Sequence, residues 1–490
     1  MPKGYFTAAS NLSRTQLLWI VGISVLFVLV NIFFVSLRLY FFNLIPVALL
    51  LILLSIISLE KAFYVLVFLT PLSIQLKEFW PGLPLNLYLP TEPLLFLILL
   101  LFLIKLFREQ NYPKQILKHP VSLAIYFYLI WIFLTSISST LPLVSFKFFI
   151  SRLWFIAGFY FLAVVIFKEP KKIVQFILAY GAGLMIVVLY ALFNLSQDGF
   201  INQQAAHSAP NPFYSDHTSY GAVLALLLPP LTGIAIKSKL SNTVRFIVWI
   251  SVILFAIALV FSFSRAAWIS IIGALGVFIL VKLKVKPGLL LLFSTLSFLF
   301  LFFYWGELKM KLEENRQDSS TNFSQHIQSI SNVSSDASNL ERINRWTSAL
   351  RMFREKPFLG WGPGTYMFQY AGFQSSKHRT VISTNFGDGG NAHSEYIGPM
   401  AESGILGALS FILVALTTLI TGIRYYIRQN TSPYRWISLA LILGLTTYLL
   451  HGFLNNFLDT DKASALFWGF IAAIVALDIF QKQEIKQEIN

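Results

Sequence analysis

Residues 246–281 are FIVWISVILFAIALVFSFSRAAWISIIGALGVFILV, two long apolar runs separated by a single basic residue, Arg265. About twenty consecutive apolar residues are enough for a helix to cross the hydrocarbon core of a bilayer. Similar runs recur along the chain, and the surface of a water-soluble protein has no room for so many of them. The pattern therefore predicts an all-α integral membrane protein.

The composition of the whole chain agrees with this fold class. Of its 490 residues, 56% are hydrophobic, 16% are aromatic and only 12% are charged, which is about half the charged share of a soluble protein. Disorder, collagen-like repeats and an ordinary soluble enzyme are therefore excluded. The chain has no cysteine, which excludes disulfides, thiol catalysis and Cys-ligated zinc or iron–sulfur sites.

Long apolar runs predict about twelve to fourteen transmembrane helices. The first run is too long for the apolar core of a signal peptide, so we expect it to remain as an anchor. The candidate spans lie near residues 16–37, 40–58, 61–76, 91–107, 121–141, 144–167, 173–195, 217–236, 246–263, 266–281, 288–305, 396–422, 435–456 and 463–480.

Lysine and arginine positions predict the orientation, because cytoplasmic loops carry most of these residues. With the N-terminus in the cytoplasm and the spans alternating, 21 of the 37 basic residues fall in inner loops and six beside short outer connections. The other ten lie in residues 306–395, where nine acidic residues offset them. The net charge of +15 thus follows from topology, so no nucleic-acid partner is expected. Both termini are predicted to be cytoplasmic.

This orientation divides the chain into three parts. We expect an N-terminal bundle of about eleven spans (1–305), a large periplasmic loop (306–395), and C-terminal transmembrane helices with a short cytoplasmic tail (396–490). Within the loop, Ser338 and Glu341 have the spacing of a capping box, and apolar residues then follow at helical spacing. The sequence therefore predicts an amphipathic helix near 339–355.

Ionisable residues within or beside spans are candidates for a functional site, because a charge in a bilayer is costly. Arg265, between two spans, either fixes a turn at the outer membrane edge or clamps a phosphate. Arg152 lies inside a span and either binds phosphate or forms a buried ion pair, for instance with Glu402. Arg342, one turn before Trp346, either flanks the interfacial helix or binds the ligand.

His393 follows a glycine-rich stretch and precedes a late span. A neutral imidazole near pH 7 can accept a proton, although a lone histidine at an interface is more often structural. Glu402 is nine residues later, about half a rotation away on a straight helix, so the two residues cannot form a dyad. We interpret Glu402 as a buried partner for an arginine or a helix terminus. Asp216 and His217 stand at the start of another span, where they form either a helix cap or a substrate contact.

Metal binding is not predicted. His207 and His217 have no third partner at metal-ligand spacing. Asp459 and Asp461 have the spacing found in metal-dependent glycosyltransferases, but two carboxylates in an outer loop are more often structural.

Three elements, in order, resemble the O-antigen ligase / O-antigen polymerase superfamily of membrane glycosyltransferases. The SRAAW element containing Arg265 is similar to a Ser-Arg-Gly element of that family, with Ala266 where glycine is usual. Residues 342–366, RINRWTSALRMFREKPFLGWGPGTY, resemble its arginine, tryptophan and Pro-x-x-Gly-x-Gly pattern. His393-Ser394, followed after nine residues by Gly404-Ile405, resembles the ligase signature His-[Asn/Ser/Gln]-x9-Gly-[Leu/Ile/Met].

The resemblance implies a GT-C-type enzyme that acts at the periplasmic face of a bacterial inner membrane. It would move an undecaprenyl-pyrophosphate-linked glycan onto an acceptor hydroxyl, with no cofactor. The family's functional positions carry over to Arg265 and Arg342, which would bind the donor pyrophosphate, and to His393, the catalytic residue. Arg152 is a further candidate pyrophosphate ligand, and the supporting candidates are Glu402, Asp216, His217 and Arg345.

The predicted partners are the lipid-linked donor, membrane lipids and lipid A–core as acceptor, which would make the protein a ligase. The same site also suits a polymerase that joins lipid-linked repeat units, or an enzyme that glycosylates protein hydroxyls. An alternative of another class is a lipid-linked-oligosaccharide flippase or another transporter, which would have charged residues along a path through the middle of the membrane.

Overall fold

The computed structural model describes residues 13–37, 42–43, 45–79, 87–285, 304, 337–374, 390–429 and 432–489. In these ranges the chain is almost entirely helical, which confirms the predicted all-α membrane fold. Nine of the helices in these ranges are long and apolar enough to cross a membrane, and two further apolar helices are shorter. The predicted span near 288–305 lies almost wholly outside the described residues.

The chain divides into two compact units, Met1–Ala62 and Phe63–Asn490. The first contains α1 (Arg14–Ser36) and α2 (Ile45–Ile57). Ser13 and Gln16 form a capping box at the start of α1, and no residue of this helix is buried. A helix that is apolar on all sides and unburied within its own chain has the surface expected of a helix facing lipid.

The second unit contains the remaining helices. Helix α3 (Leu59–Leu69) leads into it. There follow β1 (Ile74–Gln75), α4 (Leu76–Phe79), β2 (Tyr88–Leu89), α5 (Thr91–Glu109), α6 (Lys114–Leu117), α7 (Pro120–Ile137), α8 (Pro142–Ile156), α9 (Ala163–Ile166), α10 (Pro170–Asp198), α11 (Gln203–Ser208), α12 (His217–Lys237), α13 (Asn242–Phe261), α14 (Arg265–Lys282), α15 (Ala337–Glu355), α16 (Tyr366–Gln369), α17 (Ile397–Arg428), α18 (Arg435–His451) and α19 (Asp461–Ile489). A π-helical turn, Ala157–Leu162, joins α8 to α9.

The span predicted at 61–76 is wrong in its second half. Helix α3 ends at Leu69, a 3-10 turn with Pro71 follows, and Ile74–Gln75 then pairs antiparallel with Tyr88–Leu89. Proline has no amide hydrogen and its ring clashes with the preceding helical turn. The apolar run therefore continues past the end of the helix.

Helices α12 and α19 form the centre of the second unit. Their most apolar stretches are 78% and 89% buried, against 28% for α13 and 22% for α14. Helix α18 packs against both α12 and α14, and α17 packs against α7. These packing contacts make α12, α14 and α18 neighbours. The candidate site lies where the first turns of α12 and α14 meet the last turn of α18.

Candidate active site

Helix α15 lies against the bundle. Its buried residues Ala349 and Met352 pack into one apolar cluster with Tyr366, Tyr370 and Ala401. The docking face is therefore not the apolar stripe predicted from the sequence, because Ile343, Trp346 and Phe353 of that stripe are only partly buried and Leu350 is 42% exposed. The helix already includes Ala337, so Ser338 lies inside the first turn and not at the predicted N-cap.

Arg345 connects α15 to the segment that carries His393. Its Nε donates to Glu341 Oε1 over 2.8 Å, and its Nη1 donates to the carbonyl of Asn391 over 3.0 Å. A side chain on Gly390 would collide with this guanidinium. Gly390 before His393 thus has a structural reason, because it lets an arginine contact the backbone.

The glycine turn between α15 and α16 docks onto α17. The amide of Gly362 donates to the carbonyl of Glu402 over 2.7 Å, and that of Ile405 donates to the carbonyl of Pro357 over 3.0 Å. These bonds require a break in α17, and the break occurs at Gly404, where φ is 69° and ψ is −171°. A side chain there would meet the Phe358 carbonyl. The Gly of the His-x9-Gly signature therefore shapes the turn.

Glu402 lies in the same break and is not an ion-pair partner of Arg152. Its Oε1 accepts the amide hydrogen of Tyr366 over 3.0 Å, at the N-terminus of α16. A carboxylate at this position satisfies a free amide of the helix terminus.

The backbone turns at His393, which has a φ of 48°, and its amide donates to Asn391 Oδ1 over 3.1 Å. Burial, followed by the charges of Arg345 and Arg342, lowers the pKa of this imidazole to about 3, and the Asn455 side chain opposes the shift. His393 is consequently neutral at physiological pH, the state required of a proton acceptor.

Arg342 lies among three histidines. Its charge acts on the imidazoles of His217, His393 and His451, which come from α12, the segment before α17, and α18. The charge of one guanidinium on α15 thus reaches imidazoles that three separate segments supply.

The turn that carries Arg265 lies against the first turn of α12. His217 Nδ1 is 2.7 Å from the carbonyl of Ser262, and a side chain on Gly221 would collide with Ser264. Arg265 follows as the first residue of α14. The structure thus brings the Arg265 turn and Arg342 to the same imidazole, His217.

Residues 250–412 match a protein-family model described as O-Antigen ligase (Wzy_C). This stretch, about a third of the chain, is similar to the O-antigen ligase family. The match confirms the resemblance predicted from the motifs, and it contains all three motif residues, Arg265, Arg342 and His393. No curated protein matches the chain.

Several side chains around the motif residues have buried polar atoms without a hydrogen-bond partner among the described residues. Both ring nitrogens of His451 are in this state, as are Asn455 Nδ2, Ser264 Oγ and Trp346 Nε1. Burial of unpaired polar atoms is costly, and native proteins usually pair them with protein, water or ligand. Ser264 and Trp346 belong to the motifs, whereas His451 and Asn455 lie outside them and were missed in the sequence.

Asp216, a supporting candidate, is an N-cap. Its Oδ1 accepts the amide hydrogens of Thr218 and Ser219 over 2.7 and 2.8 Å. Its neighbour His217 stacks on His207, with ring centroids 4.1 Å apart. Among the described residues, no group of three His, Cys, Asp or Glu side chains is arranged to hold a metal ion.

Arg152, the third predicted phosphate ligand, binds the connection between α18 and α19. Its Nη2 donates to Asp459 Oδ1 and its Nη1 to the Leu458 carbonyl, each over 2.6 Å. Asp461 faces another way, accepting from Ser73 over 2.6 Å and lying 3.4 Å from Lys462 Nζ. The two aspartates thus serve separate cations, and their contacts favour structural roles for them and for Arg152.

Glu395 is a buried carboxylate that the sequence analysis did not single out. Its Oε1 accepts from the Tyr448 hydroxyl over 2.6 Å and from the amides of Phe457 and Leu458 over 3.0 Å. Burial raises its pKa, and the charge of Arg152 opposes the rise. Glu395 therefore ties the segment after His393 to the connection between α18 and α19.

A cavity of about 450 Å³ lies on the other side of the His393 segment. Gly390, Asn391, Ala392 and Ser394 form one wall of it, whereas the His393 imidazole faces the arginines. The charged residues of the lining are Arg152, Glu402 and Asp459. The segment 390–394 thus separates a cationic region from a cavity of mixed polarity.

Proposed function

We propose that this protein is a glycosyltransferase of the bacterial inner membrane. It moves a glycan from an undecaprenyl-pyrophosphate donor to an acceptor hydroxyl at the periplasmic face, without a cofactor, and both of its termini are cytoplasmic. The observation that carries the proposal is the meeting of Arg342, the Arg265 turn and His393 around His217 and His451. The first three belong to the stretch that matches the O-antigen ligase family model.

Arg265 and Arg342 bind the diphosphate of the donor. A guanidinium remains charged at every physiological pH and binds phosphate oxygens through two parallel hydrogen bonds. The unpaired polar atoms of Ser264, Trp346 and His451 supply further contacts to such a ligand. Fixed cations in a partly dehydrated site stabilise the charge that develops on the leaving diphosphate.

His393 accepts the proton of the acceptor hydroxyl. The acceptor oxygen attacks the anomeric carbon, the bond from that carbon to the diphosphate oxygen breaks, and the diphosphate leaves with the electron pair. One displacement inverts the configuration at the sugar and needs no covalent enzyme intermediate. The neutral state of His393 supports this role, because a protonated imidazole has no lone pair to offer.

The reaction as proposed needs no divalent ion. Two guanidinium groups offset the charge of the diphosphate, and the carboxylates with glycosyltransferase spacing, Asp459 and Asp461, are already paired with Arg152 and Lys462. We propose lipid A–core as the acceptor, on the basis of the His-x9-Gly signature.

Purified protein in detergent, given the lipid-linked glycan and lipid A–core, tests the proposal. We expect glycan attached to lipid A–core. Longer lipid-linked chains with unmodified lipid A–core would instead show a polymerase. Absence of any transferred glycan would contradict the proposal and favour a transporter, which has no product without a membrane to cross.

A further inference from the structure

The cavity beside His393 differs in charge from the region that contains Arg342. The only cation in its described lining is Arg152, and it faces the carboxylates of Asp459 and Glu402. Arg152 Nη2 lies 2.6 Å from Asp459 Oδ1, so its charge is neutralised. An anionic diphosphate is repelled by such a lining, whereas a neutral, hydroxyl-rich group is not.

The polar atoms of the cavity suit hydroxyl groups. Asn456 lines the cavity, and its Oδ1 is buried without a hydrogen-bond partner among the described residues. The Asp459 side chain is half exposed, and its carboxylate keeps acceptor capacity beyond the bond to Arg152. Two acceptors for which the described part of the chain offers no further donor indicate a ligand that brings its own hydrogens.

Part of the lining is apolar. Val144, Phe148, Met367 and Pro399 face the same space. A pyranose ring has this dual character, with hydroxyls at its edge and C–H groups on its faces. Pockets of some hundreds of cubic ångströms are typical of small-ligand sites, and about 450 Å³ lies within that range.

We propose that this cavity binds a neutral pyranose ring of the glycan acceptor. The inference rests on the proposed function. The acceptor and not the donor is assigned here because the arginines on the other side of residues 390–394 suit the diphosphate. Asn391, which lines the cavity, also binds the amide of His393, so a sugar held here has its hydroxyl close to the imidazole segment. Arg152, Asn456 and Asp459 lie outside the stretch that matches the family model.

Filling the cavity is the first test. Ser151 on α8 lines it, whereas the preceding residue, Ile150, is 50% exposed on the outside of the same helix. We expect Ser151→Phe to raise the KM for lipid A–core at least tenfold and to leave the KM for the lipid-linked donor within twofold. Ile150→Phe, the matched control, should change neither KM.

Asn456→Leu is the second test, because it removes the unpaired oxygen at nearly constant volume. Loss of one hydrogen bond to the acceptor predicts a KM for lipid A–core about tenfold higher. A purely structural Asn456 predicts the opposite pattern, with an unchanged KM and a higher melting temperature, since an unpaired buried group would be removed.

The outcomes separate the two proposals. Unchanged acceptor KM in both variants, or a rise in the donor KM alone, would overturn the acceptor assignment while wild-type transfer still supported the enzyme. No transfer by the wild type would contradict the proposed function itself.

Discussion

The imidazole of His393 is held neutral by its surroundings. Burial and two arginines act in the same direction on its pKa, and the Asn391 side chain fixes its backbone. At the level of single residues, the account therefore rests on a base that stays neutral, because burial and the neighbouring cations disfavour its protonated form.

We expect His393→Ala to reduce kcat for transfer by two orders of magnitude or more. Removal of a group that acts only in the transition state costs about 3 kcal/mol, or roughly a hundredfold in rate. The measurement is product formation by detergent-purified protein, with a check that the variant still reaches the membrane. Normal turnover by the variant would remove His393 from the mechanism.

The pH profile of the free enzyme provides a second prediction. With a pKa lowered to about 3, His393 stays neutral between pH 5 and 8, so kcat/KM should show no acid limb near the usual histidine pKa of about 6.5. The same lowered pKa also makes the stability of the folded protein depend on pH. The unfolded chain binds this proton below about pH 6.5 and the folded protein does not, so His393 makes the protein less stable as the pH falls. An acid limb of kcat/KM centred near 6.5 would argue against the burial of His393.

The sequence identifies the motif residues but not their neighbours. Arg265, Arg342 and His393 stand out because charge and imidazole are conspicuous beside apolar runs. Glu395 and His451 do not, since a buried carboxylate and a helix-terminal histidine acquire meaning only from contacts with distant segments. For the same reason Glu402 was expected as one possible ion-pair partner of Arg152, whereas the partner in the structure is Asp459, more than three hundred positions away.

At the level of elements, the glycine turn between α15 and α16 fixes the position of α15 relative to α17. The turn donates two amides into the break of α17, and this contact holds α15, with Arg342, against the segment that begins with Gly390. Helix spacing predicted that α15 forms, but its buried face, which includes Arg345, Ala349 and Met352, lies beside the predicted apolar stripe. The break at Gly404 was missed, because the apolar pattern of α17 continues on both sides of it.

Gly404→Ala should weaken this contact. Its φ of 69° and ψ of −171° are unfavourable for a residue with a Cβ, and the methyl group would meet the Phe358 carbonyl, so we expect a loss of about 1–3 kcal/mol. Thermal unfolding in detergent should show a lower melting temperature. The matched control is Gly276→Ala in α14, where a Cβ meets no atom within 4 Å. It should be neutral or stabilising. An unchanged melting temperature for Gly404→Ala would show that the break tolerates a side chain.

The whole molecule has its candidate functional groups concentrated at one end of the described bundle. The first turns of α12 and α14, the last turn of α18 and the segment before α17 meet there. A transporter would be expected to have charged residues along its length. Apolar run length predicted the helices, but the order in which the helices pack depends on contacts that no local pattern contains.

We expect transfer to continue at full rate in excess EDTA. Arginines offset the diphosphate charge in our account, and Asp459 and Asp461 already have cationic partners. The measurement compares initial rates before and after chelation and after addition of Mg²⁺. Loss of transfer that Mg²⁺ restores would return the two aspartates to the mechanism.

The central claim, that a guanidinium of α15 binds the donor diphosphate, is tested most directly by two charge-matched variants. Arg342→Gln and Arg354→Gln each remove one positive charge from the same helix, but Arg342 acts on the three imidazoles, whereas Arg354 is exposed at the end of the helix. Turnover of the lipid-linked donor should fall at least a hundredfold in Arg342→Gln and stay near the wild-type rate in Arg354→Gln. Equal turnover in the two variants would contradict the account.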